Sequence, residues 1–314
     1  MNAPRTQLLI DTDPGVDDAL AILMAHAHAD VVALTVAAGN VGLEHTVANA
    51  LKLVELVGAT TPVHAGCATP LVLPAADASF VHGRDGFGDI GYAPAAARAS
   101  SEHAANAMVR LARERPGQLT LVALGPLTNL ALALRLEPQL PTLIRRLVVM
   151  GGAVTGRGNF ERVPTEFNIG FDPEAAHVVF AQWPQFELVD WEACVRHALP
   201  FERYDALLRA GAGVAHFYGR IAATARAFNA ANGRGGMVVA DALAMAVALA
   251  PDLVRSAQTR HVAVELAGSL TRGATVVDWD ARGERAANAR IVLEVDQAEF
   301  EAMVARGLAL PAAV

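Results

Sequence analysis

The sequence predicts an α/β fold: an open, mostly parallel sheet with helices on both faces, and extra helices and strands towards the C-terminus. Three observations predict it. Strand-like and helix-like runs alternate through the first two thirds of the chain. The strand-like runs are short and wholly apolar, as strands buried on both faces are. A hydrophobic fraction of 53% against 18% charged residues over 314 positions is ample for a large core.

Leu8–Asp11 reads as the first strand and roughly Asp18–Ala29 as the helix that follows. Val31–Ala38 is a strand, Gly39–Gly42 a turn, and Glu44–Val57 a helix with Val47, Leu51 and Val54 at helical spacing. Pro62–Ala65 is a short strand, and Gly66–Pro94 is a long stretch rich in Gly, Pro and His. Glu102–Arg115 and Leu119–Ala123 make a further helix–strand unit, Leu130–Leu136 is helical, and Leu147–Met150 is a buried strand. Gly151–Asp172 is the second long loop, after which Asp172 caps a helix that has Pro173 at its first position. Phe186–Asp190 is the next strand. Phe201–Leu208, Val214–Asn229 and Ala240–Leu249 then read as helices. Val262–Leu266, Ala274–Val277 and Arg290–Val295 are strands that extend or cap the sheet, before a last helix from about Gln297. No repeat, linker or composition shift divides the chain, so residues 1–314 read as a single Rossmann-like domain. In such sheets ligands bind beyond the C-terminal ends of the strands, where Asp13, Asn40, Leu124 and Met150 all fall.

The bulk properties narrow the function. A net charge of -7 and the lack of a basic cluster argue against a nucleic-acid polymer as partner. Cys67 and Cys194 form no disulfide or metal pattern, so a reducing cytoplasm is the expected location. Met1–Arg5 leads into the first strand with no signal-peptide core, and no apolar stretch is long enough to span a membrane.

The richest stretch is Asp11-Thr12-Asp13-Pro14-Gly15-Val16-Asp17-Asp18, in which four carboxylates fall within eight positions between a strand and a helix. On a strand, residues two apart share a face, so Asp11 and Asp13 are expected to point the same way. Asp17 and Asp18 sit at the helix start, where free N–H groups favour negative charge. One helix end needs one cap and not four, so either some of these groups hold protons or a cation sits among them. The donors are all hard oxygens, which points to calcium or magnesium and away from zinc. Glu166-Phe167-Asn168, in the second long loop, places two polar side chains on one side, as a pair of hydroxyl-binding groups would be.

These runs carry a resemblance. Asp11–Ala19 is similar to the N-terminal signature of the nucleoside hydrolases, calcium-dependent enzymes that split ribonucleosides into ribose and base. Glu166-Phe167-Asn168 followed by Asp172-Pro173-Glu174-Ala175-Ala176, Met150-Gly151-Gly152, and Leu121–Asn129 resemble further segments of that family, from Ile10 to about Ala250. The resemblance implies Ca2+ held by Asp13, Asp18, Asp241 and the Leu124 carbonyl. It implies a nucleoside substrate whose ribose is held by Asp17, Asn159, Glu166, Asn168 and Asp241, with Met150 also contacting the substrate and Asn40 near the reacting carbon. His82 matches a family histidine that faces the base, and Tyr218, Phe228 and Arg234 lie where the base is usually bordered. A role in nucleoside salvage or catabolism and assembly as a homodimer or homotetramer are implied in the same way.

The mechanism so implied is attack on the N-glycosidic bond by a calcium-bound water, with Asp13 as general base. In one respect the chain departs from the family pattern. A histidine that donates a proton to the base in several members is replaced here by Ala240, and Trp183, Trp191 and Trp279 do not fall where purine-specific members stack the base. A homologue that binds ribosides with lost or altered leaving-group activation is therefore the alternative reading. A magnesium-dependent phosphatase of the haloacid-dehalogenase type also opens on Asp-x-Asp but needs a downstream lysine, and Lys52 is the only lysine among the 25 basic residues.

Overall fold

In the computed structural model, which describes residues 5–313, nine strands form one sheet in the order β10-β9-β11-β6-β5-β4-β1-β2-β3. The strands are β1 (Gln7–Thr12), β2 (Asp30–Val36), β3 (Val63–Ala65), β4 (Leu119–Ala123), β5 (Arg146–Met150) and β6 (Phe186–Val189). They continue with β7 (Leu199–Pro200), β8 (Gly236–Met237), β9 (Val254–Val264), β10 (Thr275–Asp278) and β11 (Ala289–Val295). Every pairing from β3 across to β11 is parallel, and only β9 against β11 and β10 against β9 are antiparallel. β7 and β8 pair separately. The N-terminal residues before Arg5, on which the expected lack of a leader partly rests, lie outside the described part.

The apolar strands are buried on both faces for the reason the sequence suggested. In β1, Leu8 and Ile10 belong to one apolar cluster and Leu9 to the other. β5 repeats this, with Val148 and Met150 on one side and Leu147 and Val149 on the other. Helices Val16–His28, Ala240–Leu249 and Gln297–Leu308 cover the first face, and Ala104–Glu114, Thr128–Leu136 and Pro173–Gln182 the second.

The chain runs outward from β1 through β2 to β3, then returns to lay β4 on β1's other side. The crevice between β1 and β4 is thus a topological switch point, open at the strands' C-terminal ends. Asp13 follows β1 and Leu124 follows β4, so the crevice has a candidate ligand on each lip.

Two expectations are corrected. The helix expected over Val214–Asn229 is two helices, Gly213–Ile221 and Ala223–Ala231, which meet at Ala222. β9 starts at Val254 and not at Val262, because its first half, Val254-Arg255-Ser256-Ala257-Gln258, is polar and partly exposed and shows no apolar run. No helix among the described residues is long and apolar enough to cross a membrane. Ile10 is fully buried between the sheet and the helix that carries Asp17 and Asp18. Ile10→Ala should cost about 2–5 kcal/mol, read as a lower urea midpoint at an unchanged slope.

Candidate active site

β1 ends at Thr12, so Asp13 lies in the turn with Pro14 and Gly15, and Asp17 and Asp18 fall in the first turn of helix Val16–His28. The Asp18 carboxylate reaches back to the start of its own helix. It accepts the N–H of Gly15 at 3.0 Å, the Asn40 side-chain amide at 3.0 Å and the Thr12 hydroxyl. Asp13 Oδ2 accepts the Asn40 backbone N–H at 2.7 Å, and the Asn40 side chain also donates to the Asp13 carbonyl at 3.1 Å. Asn40 therefore binds the turn after β1 to the turn after β2. Gly39 and Gly125 press on Asp13 from either side, and a Cβ at either position would collide with its carboxylate.

Asp11 and Asp13 do not point the same way, contrary to expectation. The strand alternation stops at Thr12, and Asp11 turns into the interior, where it accepts hydrogen bonds from Thr35 and Asn129, both at 2.9 Å. Burial pushes its carboxyl up to about 7, against those two bonds.

Asp241, more than two hundred residues further along, stands in the first turn of helix Ala240–Leu249. Oxygens of Asp17, Asp18 and Asp241 all lie within 4.8 Å of one another. Asp13 is outside this trio but within reach of its charge. Burial and then Asp18 raise its carboxyl well above the usual range, with smaller pushes from Asp17 and Asp11. Asp241 is raised strongly by burial and by Asp17, Asp18 and Asp13 in turn, and Asp17 is pushed up to about 7 by burial and by Asp18. Carboxylates converging out of water without a cationic side chain between them are the donor set of a hard divalent ion.

The second long loop folds over the same crevice. Glu166 caps the short helix Phe167–Phe171, accepting from the backbone of Asn168 at 2.9 Å, Ile169 at 3.2 Å and Gly152 at 2.9 Å. Burial nonetheless holds its carboxyl at about 7. Asn168 donates to the Leu124 carbonyl at 2.6 Å and lies near the Met150 carbonyl at 3.4 Å, so one amide spans the ends of β4 and β5. Asn159, on the rim, accepts the Phe167 N–H at 2.8 Å.

Every side chain singled out for the sugar, Asp17, Asn40, Met150, Asn159, Glu166, Asn168 and Asp241, lines one cavity, along with Leu124 and His82. Asp13 and Asp18 do not line it. His82 ends the short helix Ser79–His82, and its Nδ1 accepts the Val16 N–H at 3.1 Å. That bond leaves the ring neutral with its proton on Nε2, and burial pushes its pKa down to about 4.

Part of the cavity lining is aromatic. Phe80 and Phe228 meet edge to face with centroids 5.6 Å apart, and Arg234 lies over the Trp191 ring at 4.9 Å. Tyr218, expected near the base, is instead fully buried against Tyr204 and does not reach the cavity. Trp191 was not expected there, although its position directly after β6 puts it at a strand's C-terminal end, where the topology rule could have found it. Ala240 lines the cavity and offers no acid. Lys52 pairs with Glu55 at 2.7 Å and lies outside the cavity, so it cannot neutralise a phosphate there as the phosphatase reading requires.

The whole chain can now be compared with known proteins. Residues 8–302 match the family model of the inosine-uridine preferring nucleoside hydrolases. The chain is 36% identical over 303 residues to a non-specific ribonucleoside hydrolase RihC of Salmonella enteritidis, covering 95% of this chain and 96% of that one. Among solved structures it is similar to an inosine-guanosine nucleoside hydrolase, with a TM-score of 0.90, 34% identity and coverage of 96% and 98%. A plant nucleoside hydrolase is similar too, with a TM-score of 0.90, 28% identity and coverage of 98% and 100%.

Two outcomes follow from the geometry. Gly39→Ala or Gly125→Ala should displace the Asp13 carboxylate and lower turnover by about 10²-fold with the fold retained, read by steady-state kinetics and circular dichroism. Asp17 and Glu166 have folded pKa values raised to about 7, so without a cation their contribution to stability is complete only below about pH 4 and is lost as pH rises through 7. The gain in melting temperature on replacing chelator with a divalent cation should therefore grow from pH 5 to pH 8.

Proposed function

From the premise that this chain belongs to the inosine-uridine preferring nucleoside hydrolase family, we propose that it cleaves the N-glycosidic bond of ribonucleosides to ribose and free base with calcium as cofactor. The observation that carries the reading is the convergence of Asp241 with Asp17 and Asp18, two of which, Asp17 and Asp241, line a cavity together with Glu166 and Asn168. Asp18, Asp241 and the Leu124 carbonyl, with Asp13 beside them, are the groups we assign to the ion. When bound, calcium would polarise a neighbouring water and the ribose hydroxyls and offset the repulsion among the carboxylates.

The rest of the chemistry falls to side chains. Asp13 takes the proton of the attacking water, and Asn40 holds one of its oxygens through the backbone N–H. Asp17, Asp241, Glu166, Asn168 and Asn159 hold the sugar hydroxyls, and their combined negative field favours the oxocarbenium character of the transition state. Met150 forms the apolar floor beneath the ring. His82 is neutral and so acts at the base as a hydrogen-bond donor through Nε2, not as an acid.

The rival, a homologue that binds ribosides without cleaving them, is favoured by the methyl group of Ala240 where an acid would stand. We further propose a single domain, a small-molecule nucleoside partner, and a cytoplasmic setting in nucleoside salvage, supported by the free thiols of Cys67 and Cys194. Assembly as a homodimer or homotetramer rests on the family alone and is tested by light scattering.

Ribose release from inosine, uridine and cytidine should be abolished by chelator and restored by calcium. Asp13→Asn should lower turnover by about 10²–10⁴-fold with an unchanged fold. Near-normal turnover in that variant would remove Asp13 as the base, and failure of any riboside to release sugar would leave the binding reading in place.

A further inference from the structure

Asn49 is fully buried in helix Leu43–Leu56, and its whole side-chain amide is spent outside that helix. The nitrogen donates to the Pro14 carbonyl at 2.8 Å and to the Asp85 carbonyl at 2.9 Å. The oxygen accepts the Tyr92 hydroxyl. One side chain therefore joins the turn that carries Asp13 to two points of the long stretch between β3 and helix Ala104–Glu114.

That stretch has little to hold itself in shape. Its only helix among the described residues is Ser79–His82, a single turn that is not stable alone. The Ala78 N–H donates to the Asn40 carbonyl at 2.8 Å and ties down the start of this turn. Past its end the chain curls back, and the Gly88 N–H returns to the His82 carbonyl at 2.7 Å. Within the curl, the Asp85 carboxylate accepts the N–H of Phe87 at 2.7 Å and of Asp89 at 3.0 Å. His82 and Asp85 thus belong to one closed unit. Asn49 fastens that unit to Pro14, two residues before the Val16 N–H that meets His82 Nδ1 at 3.1 Å. The fit is close: a Cβ on Gly86, whose φ is +80°, would stand 2.8 Å from the Asn49 nitrogen.

We propose that Asn49 is a positioning residue, which locks the His82 segment against the turn after β1 and so fixes which ring nitrogen of His82 is left for a ligand. The role of His82 at the base belongs to the hydrolase reading given above, and the catalytic part of this inference rests on it. Without the amide, two carbonyls and a hydroxyl lose their partner, and the segment must shift to find others. The Val16 N–H then no longer meets Nδ1 squarely, and the neutral ring is free to carry its proton on either nitrogen. A displacement of about 1 Å at a group that touches substrate costs about 10²-fold in rate.

The test compares Asn49→Ala, Tyr92→Phe and His82→Ala, with inosine and uridine as substrates and calcium present, and follows the His82 ring by nitrogen-15 NMR. In the intact protein the two ring nitrogens should give well-separated signals, with Nδ1 the unprotonated one. Asn49→Ala should draw the two signals together and lower kcat/KM about 10–100-fold. Tyr92→Phe, which keeps both carbonyl bonds, should lower kcat/KM about 3–10-fold. In a His82→Ala background each of these two changes should alter kcat/KM by less than about threefold, because no ring remains to be misplaced. Should Asn49→Ala fail to fold, Tyr92→Phe decides the question through the same comparison. Losses that multiply with that of His82→Ala would overturn the proposal, as would an unchanged ring signature in folded Asn49→Ala, or full activity in His82→Ala. Absence of ribose release by the intact protein would instead overturn the hydrolase reading, while the ring signals would still decide whether Asn49 places His82.

Discussion

Mutual repulsion among carboxylates that cannot reach bulk water is the interaction on which this structure depends. Asp13, Asp17, Asp18 and Asp241 arrive from two helices and a turn, and among the described residues no lysine or arginine forms an ion pair with them. Asp18 accepts four hydrogen bonds, from Gly15, Asn40, Thr12 and the Asp13 N–H. Asp13 and Asp241 have no comparable relief, and their proton affinities rise accordingly. Packing elsewhere is arranged to hold these groups together: two apolar clusters clamp β1 from either face, and bare glycines let Asp13 fit between two turns.

The cavity above that cluster is divided by polarity. One end offers hydroxyl-binding oxygens and amides on loops tied to the ends of β4 and β5. The rest of the lining includes Phe80, Phe228 and Trp191, with the Arg234 guanidinium over the Trp191 ring. A nucleoside has the same two-part character, a polyhydroxylated sugar joined to a flat and largely apolar base, so the cavity can fix its orientation before any bond changes.

Much of this was legible in the sequence, for identifiable reasons. Short apolar runs marked β1, β4, β5 and β6 to within a residue or two, because a strand covered on both faces has no room for polar side chains. The acidic run revealed its own importance, since four like charges so close together demand a partner. What stayed hidden depended on three-dimensional context. The inward turn of Asp11 is set by Thr35 and Asn129, which no local pattern connects to it. The break at Ala222 lies within continuous helical spacing, and β9 disguised itself with Arg255, Gln258 and Arg260 along a half-exposed edge. Tyr218 and Trp191 exchanged their expected places because only tertiary packing decides which aromatic faces a cavity and which fills a core.

The break at Ala222 has an evolutionary consequence. Phe228, Asn229 and Arg234 belong to one short stretch that starts at this break and ends where β8 pairs with β7, while the clustered carboxylates belong to the turn after β1 and to two helices against the sheet. That part of the cavity lining is thus a cassette of about fifteen residues with its own entry and exit points. Lineages could exchange or rewrite that cassette and so reshape one part of the cavity, leaving the acidic cluster untouched.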